Sequence, residues 1–207
     1  MTDLDRSSRT LPAVLAGDVV RVLVALSIVP ATVAYGAVGA ALVSLVLLGA
    51  VVPRALGLHG AGDPALGLVL SAAAWAGLLD LYETVPWLDL VMHLVGTAAL
   101  AALAWLVLRR CGAVGPAPRR DLAAPEDEGQ GVGRAADPVS LARPRLGVVV
   151  TTTALGALLA LLWEVGEWAG FAYVDDSITV GYTDTVSDMA AGTVGALGAG
   201  LVLARRP

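Results

Sequence analysis

The stretch VLVALSIVPATVAYGAVGAALVSLVLLGAVVP, residues 22–53, contains no charged residue and exceeds the roughly 20 residues that one membrane-spanning helix needs. Pro30 and Gly36 favour a turn within it. We therefore predict two spans, near 17–34 and 37–52. A signal peptide is the alternative, since a basic residue precedes the run, but the acidic residues further upstream favour spans.

The composition of the whole chain agrees with a membrane protein. Of the 207 residues, 57% are hydrophobic and 15% are charged, against about 45–50% and about 25% in soluble domains. The mean hydropathy is +0.77, and the single Cys cannot form an internal disulfide. This balance excludes a disordered chain, a secreted disulfide scaffold and a nucleic-acid binder, and it makes the lipid bilayer the expected partner.

Further apolar stretches follow the first one. Those long enough, or nearly so, to cross a membrane run over residues 65–80, 88–108, 146–168 and 185–203. The predicted fold class is all-α, a polytopic membrane bundle of about six helices. The predicted divisions are a polar tail (1–16), four transmembrane helices (17–108), a flexible cytoplasmic loop (109–145) and two transmembrane helices (146–207).

The placement of Arg residues predicts the topology. All thirteen basic residues are Arg, and seven of them lie in residues 109–145. Others lie near both termini, whereas the connections near 81–87 and 171–183 have none. Because cytoplasmic loops carry the basic excess, we expect both termini in the cytoplasm of a multi-pass plasma (inner) membrane protein. Five spans would place the N-terminal Arg residues outside, so six are preferred.

Three of the later apolar stretches each carry a pair of polar residues. The pairs are Asp89 and His93 in LDLVMH, Glu164 and Glu167 in WEVGEW, and Asp184 and Asp188 in TDTVSD. Spacings of three and four residues place both members of a pair on one helix face. We therefore expect three helices to present polar pairs to one another.

The depth of these pairs follows from their separation from the cytoplasmic Arg residues. At about 1.5 Å per helical residue, one layer lies roughly 24–28 Å away and a second layer roughly 30–33 Å away. The inner layer comprises His93, Glu164 and Asp188, and the outer layer comprises Asp89, Glu167 and Asp184. Both layers fall near the external edge of a hydrocarbon core about 30 Å thick.

An unpaired charge at this depth costs up to about 2.5–3.5 kcal/mol. The chain has no Lys, and no Arg lies near this side, so His93 is the single cation available from the chain itself. Hydration, protonation or an external cation must therefore neutralise the acids. Carboxylates with one imidazole suit a divalent metal ion. Its candidate ligands are His93, Glu164, Asp188 and Asp89, and the candidate catalytic bases are Glu167 and Asp184.

A plainer interpretation is that the acids end helices in water. Asp184, with Thr183, can cap the last helix, where a carboxylate favours the positive end of the helix dipole. Small residues on the Asp188 face, namely Gly192, Gly195 and Ala199, predict close helix approach, which would bring Asp188 towards its neighbours.

Three classes of function remain open. The first is an enzyme or metal-dependent factor at the external leaflet, acting on a lipid or envelope precursor. The second is a proton- or cation-coupled transporter or channel that uses the same acids. It ranks lower because no charge lies in the cytoplasmic halves of the last three spans. The third is a non-catalytic membrane assembly factor.

The same residues carry a resemblance to known families. The segments GLLDLYETVPWLDLVMHLVG (77–96), LLWEVGEWAGF (161–171) and GYTDTVSDMAAGTVGALGAG (181–200) resemble the uncharacterised bacterial membrane proteins typified by YjdF. More distantly, the pattern is similar to the VanZ-like family, linked to glycopeptide (teicoplanin) resistance. The resemblance implies that the polar positions above are the functional ones, and it supplies no reaction.

Overall fold

The computed structural model describes the backbone of residues 3–58, 60–114, 138–175, 178 and 180–205. It describes the side chains of all of these except residues 3–14 and 138–144. The described helices are α1 (Asp3–Ala55), α2 (Gly62–Leu78), α3 (Leu81–Thr84), α4 (Pro86–Arg110), α5 (Pro138–Tyr173) and α6 (Tyr182–Ala204). No β-strand occurs in these ranges.

The long helix α1 is interrupted at Gly36, whose φ of 59° and ψ of −139° are non-helical. Such a positive φ favours glycine, which has no Cβ to clash with the backbone. The two arms fold back on each other. A contact between them shows this: Arg21 Nε of the first arm donates a hydrogen bond of 2.8 Å to the Ala50 carbonyl oxygen of the second arm. The predicted turn within residues 22–53 is therefore present, with its break at Gly36.

The first half of the bundle consists of α1 packed on α2. Its core is aliphatic and includes Val24 and Val43 of α1 and Ala74 of α2, each at most 5% exposed. Tyr35 and Trp75 add an edge-to-face ring contact, with centroids 6.5 Å apart. These contacts join the hairpin of α1 to α2 as one unit.

The second half consists of α4, α5 and α6, each of which packs on the other two. Small residues allow this close approach: Gly192 faces Thr97 and Ala160, and a Cβ built on Gly192 would be 2.8 Å from Thr97 Oγ1. The two halves meet where α2 contacts α4. The predicted role of Gly192 and Gly195 in bringing helices together is thus seen in the packing.

Four described helices are long and apolar enough to cross a membrane: Leu15–Ala55, Pro86–Arg110, Arg145–Tyr173 and Tyr182–Ala204. The first is 41 residues long and folds back at Gly36, so it supplies two passages. The shorter apolar helix Gly62–Leu78 completes six. The all-α membrane bundle is confirmed.

Two helices extend beyond the apolar stretches that the sequence indicates. The backbone of α1 is already helical from Asp3, within the segment predicted as a polar tail, and α5 begins at Pro138, within the predicted loop 109–145. Helical hydrogen bonds form inside a segment and need no apolar side chains, so hydropathy alone underestimates the length of such helices. Most of that loop, residues 115–137, lies outside the described residues.

Candidate metal site and adjoining groove

The helices α4 and α6 begin, and α5 ends, on the same side of the bundle, which we call the acidic end. Helix α4 starts there with Pro86 in its first turn, where the missing N–H of proline costs no helical hydrogen bond. Three residues later comes Asp89, and His93 follows one turn further. The contact between this pair is direct, because His93 Nε2 lies 3.4 Å from Asp89 Oδ1.

Helix α6 brings a second carboxylate to the same nitrogen. Asp188 Oδ2 lies 3.8 Å from His93 Nε2, and the residue is only 2% exposed. Below Asp188, Gly192 and Gly195 hold α6 close to α4. The small residues therefore permit a contact between two helices that a larger side chain at either position would separate.

The three side chains together form a possible ligand set. One ligand atom from each of Asp89, His93 and Asp188 lies within 4.8 Å of the other two. Two carboxylate oxygens and one imidazole nitrogen are ligands that divalent transition metals accept. Glu164, which the sequence placed among the candidate ligands, is not part of this group in the described part of the chain.

Two buried carboxylate oxygens near this group make no hydrogen bond. Among the described residues, Asp188 Oδ1 and Glu164 Oε1 are both buried without a partner. A buried polar atom left without a partner costs about 1–3 kcal/mol, and more when it is charged. Each such atom calls for an explanation, and a partner from outside the chain is one.

Helix α5 contributes Glu164 and Glu167 in different settings. Glu164 is 7% exposed and lies near Thr185 of α6. Glu167 lies one turn after Trp163 on the same helix. Glu164 thus faces α6, while Glu167 is half-buried.

The other predicted base, Asp184, lies in the first turn of α6. The capping residue of this helix is Gly181, and no side chain caps it. The expectation that Asp184 and Thr183 cap the last helix is therefore wrong, because the helix begins at Tyr182, earlier than the polar pair suggests. Asp184 is half-buried.

The structure groups these residues differently from the predicted two layers, and Glu164 is not the only residue affected. Asp89, predicted one turn outside His93, joins His93 and Asp188 in a single group. The depth estimate counted backbone positions, whereas helical side chains lean towards the N-terminus of their helix. Depth counted along the backbone therefore does not decide which side chains meet, and His93 and Asp89, one turn apart, are in contact.

A groove between α5 and α6 adjoins this site. It has a volume of about 250 Å³ and is lined by Leu161, Glu164, Val165, Trp168, Thr185 and Met189, among others. Leu161, Val165 and Trp168 are between 44% and 51% exposed on the outer face of the bundle. Among the described residues of this lining, the buried Glu164 side chain is the only carboxylate.

Tyr82 of the short helix α3 covers part of the acidic end, a role that sequence analysis missed. Its hydroxyl donates a hydrogen bond of 2.8 Å to the Ala73 carbonyl oxygen of α2. Burial raises the pKa of Tyr82, and the carboxylates of Asp89, Glu167 and Asp188 raise it further. The sequence offered one indication that Tyr82 lies near the acidic end, namely its position seven residues before Asp89.

A second charged cluster also escaped sequence analysis. Arg21 forms an ion pair with Asp63 of α2, and a second one of 2.8 Å with Asp18. The side chains of Arg21 and Asp63 are only 11% and 3% exposed. Arg54 lies 3.4 Å from Asp18. This cluster is at the end opposite the acidic end and ties both arms of α1 to the start of α2.

Six helical passages with an acidic cluster at one end define a multi-span helical membrane protein. The sequence matches a family described as "Predicted membrane protein (DUF2238)" over residues 11–207, and the chain belongs to this family. No curated protein sequence and no solved structure matches the chain. Family membership confirms the prediction of a multi-pass membrane protein and assigns no reaction.

Proposed function

We propose that this membrane protein binds a divalent metal ion through Asp89, His93 and Asp188, and that the ion acts on a lipid or envelope precursor at the acidic end. One observation carries the proposal: three ligand atoms from two helices converge within 4.8 Å. The buried, unpartnered Asp188 Oδ1 supports it independently. The YjdF-like and VanZ-like resemblances supply no reaction, so the proposal depends on geometry.

The distances fit a metal ion of ordinary size. Ligands at 2.0–2.2 Å from a tetrahedral zinc ion lie about 3.3–3.6 Å from one another. His93 Nε2 lies 3.4 Å from Asp89 Oδ1 and 3.8 Å from Asp188 Oδ2. Small rotations of the two carboxylates would close the remaining gap. Three protein ligands leave a position for water or substrate, as catalytic sites require.

The remaining carboxylates fit the role of a base. Glu167 and Asp184 are half-buried at the same end of α5 and α6. A metal ion lowers the pKa of a bound water, and a nearby carboxylate can accept the proton that the water releases.

Transport is the weaker alternative. A path for ions would need polar groups between the site and the Arg-bearing ends of α4, α5 and α6. The sequence between those points contains no charge, and Thr97 and Thr152 are its buried polar side chains among the described residues. A segment without charged residues between the site and the Arg-bearing ends favours a site that works from one side of the membrane.

The test is thermal unfolding of the purified protein in nonionic detergent, with Zn²⁺, Mn²⁺, Mg²⁺ or Ca²⁺ added. An ion at 100 times its Kd should stabilise the chain by about 2.7 kcal/mol. Asp188→Asn should abolish the shift, whereas Glu83→Gln, an exposed carboxylate of α3 at the same end, should retain it. The proposal is wrong if no ion raises the melting temperature of the parent protein. It is also wrong if the ion raises the melting temperature of Asp188→Asn by the same amount.

A further inference from the structure

The groove between α5 and α6 is open at the surface of the bundle. Its walls include Leu161, Val165 and Trp168, which are exposed on a face of a membrane-spanning helix. Pockets that enclose drug-sized ligands have volumes of about 300–1,000 Å³. A groove of about 250 Å³ is smaller. It fits a polar head and the first part of a chain, with the rest of that chain in the lipid.

The polar feature of the groove is Glu164. Its side chain is 7% exposed, and its Oε1 atom is buried and has no hydrogen-bond partner among the described residues. An ionised carboxylate only accepts hydrogen bonds. The missing partner is therefore a donor, and no described side chain provides it.

We propose that this groove binds the primary ammonium head of an amphipathic lipid, with an N–H of the ammonium bonded to the Glu164 carboxylate, which would turn towards the groove, and with the alkyl chain between α5 and α6. The proposal rests on the proposed function for the idea that a lipid is the substrate, and it names the chemical class of that lipid.

Charge favours an ammonium over other heads. The chain has no Lys, and the nearest Arg residues along these two helices, Arg145 of α5 and Arg205 just after α6, lie at their far ends. An anionic head would meet Glu164 without a compensating side chain. A hydroxyl would donate one neutral hydrogen bond, whereas an ammonium forms a charge-assisted bond that is roughly twice as strong.

The aromatic wall of the groove supports the same choice. Trp168 borders the groove, and indole is the aromatic ring that attracts cations most strongly. The groove therefore combines a carboxylate acceptor, a cation-attracting ring and apolar walls in one place.

The experiment compares three probes with the same chain: dodecylamine, dodecyltrimethylammonium and dodecanol. Binding to the purified protein in nonionic detergent is measured by native mass spectrometry. We expect dodecylamine to bind at least tenfold more tightly than the other two, because only it combines positive charge with N–H donors. Equal binding of dodecanol would overturn the choice of an ammonium, and equal binding of dodecyltrimethylammonium would overturn the hydrogen bond to Glu164.

Variants locate the binding. Glu164→Gln and Val165→Trp should each weaken dodecylamine binding at least tenfold, the first by removing charge and the second by filling the groove. The matched control is Leu162→Trp, since Leu162 is 56% exposed on the same helix and does not line the groove. Unchanged binding in Val165→Trp, or equal loss in Leu162→Trp, would refute the groove as the site.

Metal binding is measured on the same samples, so the two proposals fail separately. Val165→Trp should keep the metal-induced stabilisation of the parent protein while losing the amine. If the parent binds metal but no amine, the groove proposal alone is wrong. If it binds the amine at Glu164 but no metal, the proposed function is wrong and the groove remains a binding site.

Discussion

Gly195 of α6 lies against the backbone of Leu94 in α4, and a Cβ atom built on Gly195 would be 2.8 Å from the Leu94 carbonyl carbon. Leu94 is the residue after His93, and Asp188 lies two helical turns before Gly195. The crossing of the two backbones therefore sets the distance between the imidazole and its second carboxylate. The geometry of the proposed metal site depends on a glycine that is itself no ligand.

Substitution of Gly195 should therefore destabilise the bundle. Gly195→Ala places a methyl group against main-chain atoms that cannot rotate away, and such overpacking costs about 1–3 kcal/mol. The control is Gly198→Ala on the same helix, where a Cβ meets nothing within 4 Å. We expect it to be neutral or to stabilise by up to about 1 kcal/mol. Thermal unfolding of both variants checks this, and equal melting temperatures would contradict the close crossing.

The sequence predicted those features of the site that depend on local spacing. The i, i+4 pair of Asp89 and His93 meets as expected, and glycines on the face of Asp188 bring α6 to α4. The pairing of Arg21 with Asp63 was not predictable, because the residues are 42 positions apart and the partner depends on how α1 packs on α2. Local periodicity defines a helix face but does not identify its neighbour.

The buried ion pair of the first half gives a second stability prediction. Arg21→Met should destabilise by about 3–5 kcal/mol, because it leaves the Asp63 carboxylate buried without its main partner. Arg54→Met is the control, since the side chain of Arg54 is 43% exposed and an exposed ion pair contributes about 0–1 kcal/mol. Denaturant unfolding in detergent measures both. A larger loss in Arg54→Met would contradict the assignment of Arg21 as the central residue.

Tyr82 predicts how stability changes in alkali. Its folded-state pKa lies above the ordinary value of 10.0, so the unfolded chain loses the proton first. The neutral hydroxyl contributes its full share of the free energy of unfolding at pH values below the pKa of Tyr82 in the unfolded chain. This contribution is lost as the pH rises above that pKa. From about pH 9 to about pH 12 the melting temperature of the parent should fall more than that of Tyr82→Phe.

A control separates this effect from general alkaline unfolding. Tyr182→Phe removes a hydroxyl that is 87% exposed, and its pH profile should match that of the parent. Near neutral pH, Tyr82→Phe should itself cost about 0.5–1.5 kcal/mol, because the hydrogen bond to Ala73 is lost. Parallel profiles for the parent and Tyr82→Phe would show that the hydroxyl is not buried.

The topology remains a prediction from the Arg distribution. Reporter fusions within residues 109–145 and within the connection between α5 and α6 should report opposite sides of the membrane. A third fusion between α1 and α2 should agree with the first, because two arms of α1 return the chain to its starting side. If the first two fusions report the same side, the acidic end does not lie outside.

The ligands of one metal ion should act as a unit. If Asp89 and Asp188 share an ion, either Asp89→Asn or Asp188→Asn should abolish most of the stabilisation by metal. The double variant should then lose little more, because the effects of residues in one site are not additive. Two independent solvated carboxylates would give losses that add. Metal titrations of the four proteins, read as shifts in melting temperature, separate these outcomes.

The metal-free proteins provide the complementary measurement. Asp188 is 2% exposed and has an unpartnered oxygen, so its charge opposes folding when no ion is present. Asp188→Asn should therefore be at least as stable as the parent in a chelator, and less stable than the parent once metal is added. The Asp188 carboxylate would then lower the stability of the metal-free protein while allowing it to bind metal, a trade-off that is common at functional residues. A variant that is less stable than the parent by the same amount with and without metal would show that Asp188 supports only the packing of α4 and α6.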